Sequence, residues 1–266
     1  MSEVSRPIHA PPPSLPLLPL PDNSPYVLPP PLFQGAESLI YSLPFSSLYP
    51  SLPTSPPLIL KHRFPKKYRH PKIDHRITKQ RTKAEVKAMV RCRRGGVRCP
   101  VIYDVGEDWI VMEDVGRVSV KDYLKSLPQT SPLPSSAITC LLSLTNSIIS
   151  IHSSSCIHGD LTTSNFMYTP TSIIPLDFGL STICAPNMGE KKRKNNEMNG
   201  GNNNRIESFA VDLYVLERSI MSTHENGEEM VKVIVNEYKE KSREGDRVVQ
   251  KLGEVRARGR KRECFG

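Results

Sequence analysis

Eight residues, His158-Gly159-Asp160-Leu161-Thr162-Thr163-Ser164-Asn165, and the triplet Asp177-Phe178-Gly179 beyond them constrain this chain more than anything else in it. The first run sets a carboxylate, Asp160, five positions before an amide, Asn165, and the triplet adds a second carboxylate, Asp177, twelve positions further on. That interval is the length of one short hairpin, so the chain can fold back and gather all three side chains. Each fragment alone is weak, since D-F-G arises by chance and an H-x-D triplet is more often a cap or a turn. Their conjunction carries the chemistry.

Composition frames that constellation. With 266 residues, 38% of them hydrophobic, the chain has material for one two-lobed domain or two small ones. Part of it is not core material, because 16 of the 25 prolines fall within residues 1–57, where they remove backbone donors and favour extended conformations. Residues 1–31 are expected to form a disordered Pro-rich extension. This segment carries Glu3 and Arg6 and no uninterrupted apolar run, unlike a signal peptide, and no stretch reaches the roughly 18 apolar residues of a membrane span. A soluble intracellular protein with no membrane partner is expected. The six cysteines include no C-x-x-C pair, which argues for reduced thiols and against a zinc site.

The net charge of +9 is concentrated in two places. Residues 61–98 hold 15 Lys and Arg against 2 acids, and residues 251–266 hold 6 against 2. Such patches attract polyanions through phosphate contacts and counterion release, so nucleic acid or an acidic protein surface is a natural partner. A solvated lysine-rich face is the plainer reading of the first patch.

Residues 32–41 read as a turn between two short strands, with Gly35 its one unusually flexible point. Prolines at 50, 53, 56 and 57 make residues 44–57 a Pro-rich insertion in loop form. Leu58-Ile59-Leu60 is a short apolar strand running into Lys61. Residues 82–90 are expected to be a helix capped at Thr82 and stopped at Gly95-Gly96, with Glu85 its only acid. Residues 100–105 and 109–115 follow as strands, and residues 119–126, 134–151 and 206–221 as helices. Residues 187–205, rich in Asn, Lys and Gly, are expected to be a flexible loop.

The run H-G-D-L-T-T-S-N with D-F-G resembles the catalytic loops of protein kinases. There an Asp accepts the hydroxyl proton, and an Asn and the D-F-G Asp hold Mg²⁺. Gly159 stands where most protein kinases have an Arg that pairs with an activation-loop phosphate, which implies an enzyme not switched on that way. More closely, the chain resembles the small atypical kinase subunit of the KEOPS (EKC) complex, related to RIO-type kinases. That likeness rests on Gln34-Gly35-Ala36-Glu37, the basic run from Leu60 through Lys61-His62-Arg63-Phe64-Pro65 to Pro71, Arg91-Cys92-Arg93-Arg94, Val211-Asp212-Leu213-Tyr214, and Arg256-Ala257-Arg258-Gly259-Arg260-Lys261-Arg262.

The resemblance implies an α+β, two-lobed protein-kinase-like fold, with a small antiparallel-sheet N-lobe over 32–114, a reduced helical C-lobe over 115–251 and a basic tail over 252–266. It implies ATP and Mg²⁺ as cofactors, and an ATP-consuming role in the threonylcarbamoyladenosine modification of tRNA next to the anticodon, with serine/threonine protein kinase activity. By matching position, Asp160 serves as catalytic acid/base, Lys61 contacts the ATP phosphates and Glu85 orients Lys61. Gln34, Gly35, Ala36 and Glu37 lie at the turn that covers the phosphates, Glu113 and Val115 at the hinge that meets adenine. Asn165 and Asp177 are the Mg²⁺ ligands. Arg256, Arg258, Arg260, Lys261 and Arg262 are expected to reach toward the threonylcarbamoyl-transferring subunit and tRNA. The other KEOPS subunits are the remaining partners, and the compartments are cytoplasm and nucleus. G-x-G-x-x-G and A-P-E are absent, which puts a conventional peptide groove in doubt. Two other readings are a non-catalytic scaffold of the same complex and a free-standing kinase of the same superfold.

Overall fold

Side-chain alternation builds the first unit. In β2 (Leu39–Leu43) the residues Leu39, Tyr41 and Leu43 point to one face and are buried; in β3 (Leu58–His62) Leu58 and Leu60 meet them, and Val111 of β5 (Trp109–Glu113) completes the cluster. With β1 (Phe33–Gln34) and β4 (Ile102–Val105) these strands form an antiparallel sheet in the order β1-β2-β3-β5-β4. Lys61 therefore sits on the central strand, opposite Ile40 on one side and Ile110 on the other. The computed structural model describes residues 29–35, 37–43, 57–184 and 198–263, without the side chains of 198–202 and 260–263. The expected extension at 1–31 and insertion at 44–57 fall almost wholly outside the described residues, as do 185–197 of the Asn/Lys-rich stretch.

The chain divides into two compact units, residues 1–79 with 101–114, and residues 80–100 with 115–266. The second is built on α3 (Ser135–Ser153), whose Leu141, Leu144, Ile148 and Ile151 are fully buried. By length and composition alone α3 could cross a membrane, but here its apolar stripe forms the core of this unit. Around it lie α2 (Val120–Ser126), α4 (Met198–Thr223), α5 (Gly227–Lys241) and α6 (Gly245–Glu263). Between α3 and α4 run β6 (Cys156–Ile157), the hairpin of β7 (Phe166–Tyr168) with β8 (Ile173–Pro175), and β9 (Thr182–Ile183), which pairs with β6. The five described cysteines are all free thiols.

The fold class is α+β, as expected, and the differences lie at boundaries. The helix expected from Thr82 is α1 (Pro71–Arg94), so Thr82 is a fully buried interior residue and not a cap. Pro71 suits a first helical position and Asp74 supplies the first-turn acid, signals masked in the sequence by the surrounding lysines and arginines. The stop at Gly95-Gly96 is as expected, with Gly96 at φ +84°. Residues 80–100 group with the second unit, whereas the expected N-lobe spans 32–114. Residues 252–263 are not a separate tail but the end of α6, held by buried Leu252 and Val255. Helix α4 starts at Met198, within the stretch 187–205 expected to be loop, and its amphipathic face is buried from Ile206 onward.

Candidate active site

The catalytic loop lies wholly within the second unit. β6 leads into His158, a 3-10 turn over Thr163–Asn165 follows, and the β7–β8 hairpin returns the chain to Asp177. The Leu176 N–H donates to the Asn165 carbonyl at 2.8 Å, closing the hairpin onto the loop. Asn165 Nδ2 donates to both the carbonyl oxygen and Oδ2 of Asp160, each at 2.9 Å. The Asp160 carboxylate and its amide neighbour are thus already paired, with Asp160 and Asn165 half-buried and Asp177 exposed.

What fixes this loop is Asp212 on α4, a buried carboxylate that accepts from the His158 N–H at 2.7 Å and the Gly159 N–H at 2.8 Å. These are the two amides immediately before Asp160, so α4 sets the backbone that leads into it. His152 of α3 supports Asp212 from behind, with Nε2 3.2 Å from Oδ2 and Nδ1 2.7 Å from the Tyr238 hydroxyl of α5. The Asp212 carboxylate can only accept, so Nε2 carries the hydrogen that faces it, and in that neutral tautomer Nδ1 accepts from the Tyr238 hydroxyl. The His152 ring also stacks on Phe209, with centroids 4.2 Å apart. Sequence reasoning placed Asp212 in a helix without a role and missed His152 and Tyr238; a lone acid within the apolar run of a helix was the available signal.

His158 itself is structural. Its Nε2 donates to the Leu176 carbonyl at 2.9 Å, and burial holds its imidazole below the ordinary range, with Asp212 opposing the shift. Its ring packs against Phe178 of D-F-G, centroids 4.8 Å apart, which joins the two motifs through their apolar members. Thr163 is backed by His224, whose Nε2 lies 3.1 Å from Oγ1. Burial, with Lys125 and Lys121 nearby, holds His224 low as well.

Gly159 has φ +81°, and a methyl group there would overlap the Leu180 carbonyl oxygen and stand 3.0 Å from its carbonyl carbon. The position therefore excludes the Arg of ordinary protein kinases on steric grounds. Asp177 also adopts a left-handed conformation, φ +51°, a strained state typical of functional positions. The loop fits Mg²⁺ rather than a metal held by protein alone: among the described residues no three His, Cys, Asp or Glu side chains form a metal cluster. With Asn165 Nδ2 engaged on Asp160, its Oδ1 and the Asp177 carboxylate are the oxygen donors on offer, a number that suits Mg²⁺ shared with substrate phosphates and water.

Comparison with known proteins agrees with this geometry. A RIO domain model matches residues 60–191. The EKC/KEOPS complex subunit bud32 of Dictyostelium discoideum is 35% identical, covering 88% of this chain and 83% of its own length. The chain belongs to this family of EKC/KEOPS complex subunits. The EKC/KEOPS complex subunit Tp53rkb of Mus musculus is 33% identical over 88% of this chain and 87% of its own. A probable bifunctional tRNA threonylcarbamoyladenosine biosynthesis protein of Methanosarcina mazei is 30% identical over 86% of this chain but only 35% of its own length.

The remaining positions expected from the family are each placed within one unit. In the first unit Lys61 is buried on β3. Gln34 ends β1, and the Gly35 N–H closes the turn on the Ser38 carbonyl at 2.8 Å. Ala36 lies outside the described residues, and the Glu37 carboxylate faces Arg63 at 3.7 Å. The Glu113 N–H donates to Val101 at 2.8 Å, so a hinge ligand would meet its carbonyl and not its amide. In the second unit Glu85 is buried on α1, and Val115 opens the segment leading to α2. Arg256 binds Glu217 through Nε at 2.8 and 3.1 Å, and Arg258 binds Glu207 at 2.7 Å, so these two tail arginines are tied to α4. Nothing is described of the side chains of Arg260, Lys261 and Arg262.

Proposed function

We propose that this chain is the ATP-consuming subunit of an EKC/KEOPS complex, acting in the threonylcarbamoyladenosine modification of tRNA and able to phosphorylate serine or threonine hydroxyls. The observation that carries this reading is Asp160, bonded to Asn165 and fixed from behind by Asp212. Such an arrangement holds a carboxylate in place before substrate arrives, which is what general-base chemistry requires. Asp160 accepts the proton of the attacking water or hydroxyl while that oxygen bonds to the γ-phosphorus and the bond to ADP breaks. Asn165 and Asp177 would hold Mg²⁺, which supplies neutralisation of phosphate charge when bound. Lys61 would contact the phosphates, Glu85 would orient Lys61, and the turn at Gln34 to Glu37 would cover them.

The names of the relatives support partner subunits of the complex and tRNA as the setting, and the proposed compartments are cytoplasm and nucleus. Because Arg256 and Arg258 are engaged on α4, Arg260, Lys261 and Arg262 take the expected role toward the threonylcarbamoyl-transferring subunit and tRNA. The test is Mg²⁺-dependent ATP turnover by the purified chain beside Asp160→Asn, with and without that subunit and tRNA. Turnover that rises with the partner and vanishes in the folded variant is expected. A folded wild-type chain without turnover under any condition would leave the scaffold reading in its place.

A further inference from the structure

In the first unit the residues between β3 and α1 surround a cavity of about 430 Å³, a size found among small-ligand pockets. Its wall carries four cations, Arg63, Lys66, Lys67 and Arg69, against the two carboxylates Asp74 and Asp108. Arg63 is only 6% exposed, so the site includes a guanidinium set into the fold, and Asp108 is itself held low by its bond to His62.

The rim is more informative than the wall. Asp74, 4% exposed, accepts from the Lys66 N–H at 2.9 Å and the Arg69 guanidinium at 3.3 Å, while the Arg69 N–H closes a turn on the Lys66 carbonyl at 3.1 Å. A buried carboxylate thus fixes both ends of a surface turn whose two central residues are Lys67 and Tyr68. Tyr68 is 76% exposed, with the Arg69 guanidinium 5.2 Å from its ring centroid. An exposed aromatic ring at the edge of a basic groove, on a turn held at both ends, is a combination that binds unpaired nucleic acid: cations track the backbone and the ring stacks a base.

We propose that this cavity and turn bind a single-stranded segment of RNA, with a phosphate among Arg63, Lys66, Lys67 and Arg69 and an unpaired base stacked on Tyr68. The inference rests on the tRNA-partner reading above and gives it a second contact surface, in the first unit.

The test is fluorescence anisotropy of the full chain with a labelled twelve-nucleotide oligo(U), and with the same strand paired to oligo(A), across a range of KCl. Tyr68→Ala weakens oligo(U) binding by at least about fivefold, Tyr68→Phe retains it, and the duplex is unaffected. Lys67→Ala lowers the log–log salt slope by about 0.7. Both side chains are exposed at a turn, and thermal melting confirms that the variants fold. If wild type binds oligo(U) and Tyr68→Ala and Lys67→Ala bind it equally well, the site is refuted while RNA as a partner stands. If wild type binds no RNA, both fall together. Complete displacement of oligo(U) by uridine monophosphate at equal nucleotide concentration also overturns the proposal, because it would mark a pocket for free nucleotides.

Discussion

Gly159→Ala is the sharpest single test of how the catalytic loop is built. Two penalties arise from one methyl group. A left-handed backbone at φ +81° costs an alanine about 1–2 kcal/mol relative to glycine. The methyl must also displace the Leu180 carbonyl, which belongs to the tight turn closed by the Ser181 N–H on Phe178 at 3.0 Å. Relaxation of that turn should limit the total loss of stability to about 2–3 kcal/mol, a magnitude typical of a strained backbone substitution. The effect on chemistry should be larger in proportion. Leu180 lies three residues after Asp177 and Gly159 directly before Asp160, so the displacement falls on the proposed Mg²⁺ ligand and the proposed base together. A misplacement of about 1 Å in such a site lowers turnover by about a hundredfold. Urea denaturation and Mg²⁺-dependent ATP turnover, measured on the same preparation, read the two effects separately. Wild-type stability and wild-type turnover in Gly159→Ala would refute the steric account of why this chain has glycine where other kinases have arginine.

Asp212→Asn should cost about 2–4 kcal/mol, because one of its two former carboxylate oxygens becomes an NH₂ facing a buried N–H of His158 or Gly159. Asp160→Asn, at a half-buried position, should change urea stability by less than about 1 kcal/mol while abolishing turnover. Acid should destabilise the fold through His158 and His224, both of which are held below the ordinary imidazole range. The unfolded chain then takes up protons first, so their contribution is constant above about pH 7 and falls below the free value of about 6.5, by up to about 1.4 kcal/mol per pH unit for each ring. His224→Asn should remove one share of that slope in urea titrations at pH 7.5, 6.0 and 5.0.

The parts of the molecule legible in the sequence were those with strict local signatures. β2, β3 and β5 showed their apolar residues, α3 its long apolar run, and the Asp160, Asn165 and Asp177 set its spacing. The first eleven residues of α1 were hidden because their exposed faces are basic and polar, which leaves little apolar periodicity to read. Asp212, His152 and Tyr238 were hidden for a different reason. They meet across three helices, from positions 60 and 86 residues apart in sequence, and no spacing rule predicts such a contact. Asp74 was equally silent: its role lies in closing a turn, which only the folded loop displays.

Charge counting shows the same limit at the C-terminal end, and there it makes a prediction. The six cations of residues 251–266 look like one basic tail. In the fold, Lys251 lies 2.7 Å from Glu254 and 3.9 Å from Glu207, Arg256 engages Glu217, and Arg258 engages Glu207. Half the apparent patch is therefore neutralised locally, and under the proposed role contacts to tRNA would fall to Arg260, Lys261 and Arg262. Arg256→Ala should lower stability by about 1 kcal/mol, since its pair with Glu217 joins α6 to α4 and is partly shielded from water. It should leave the salt dependence of tRNA binding unchanged, whereas Lys261→Ala should reduce the slope by about 0.7–0.9, as loss of one phosphate contact does. The reverse pattern, with stability unchanged and the slope reduced in Arg256→Ala, would mean that the α4 pairs open on binding and that the whole tail acts as a single anion-binding strip.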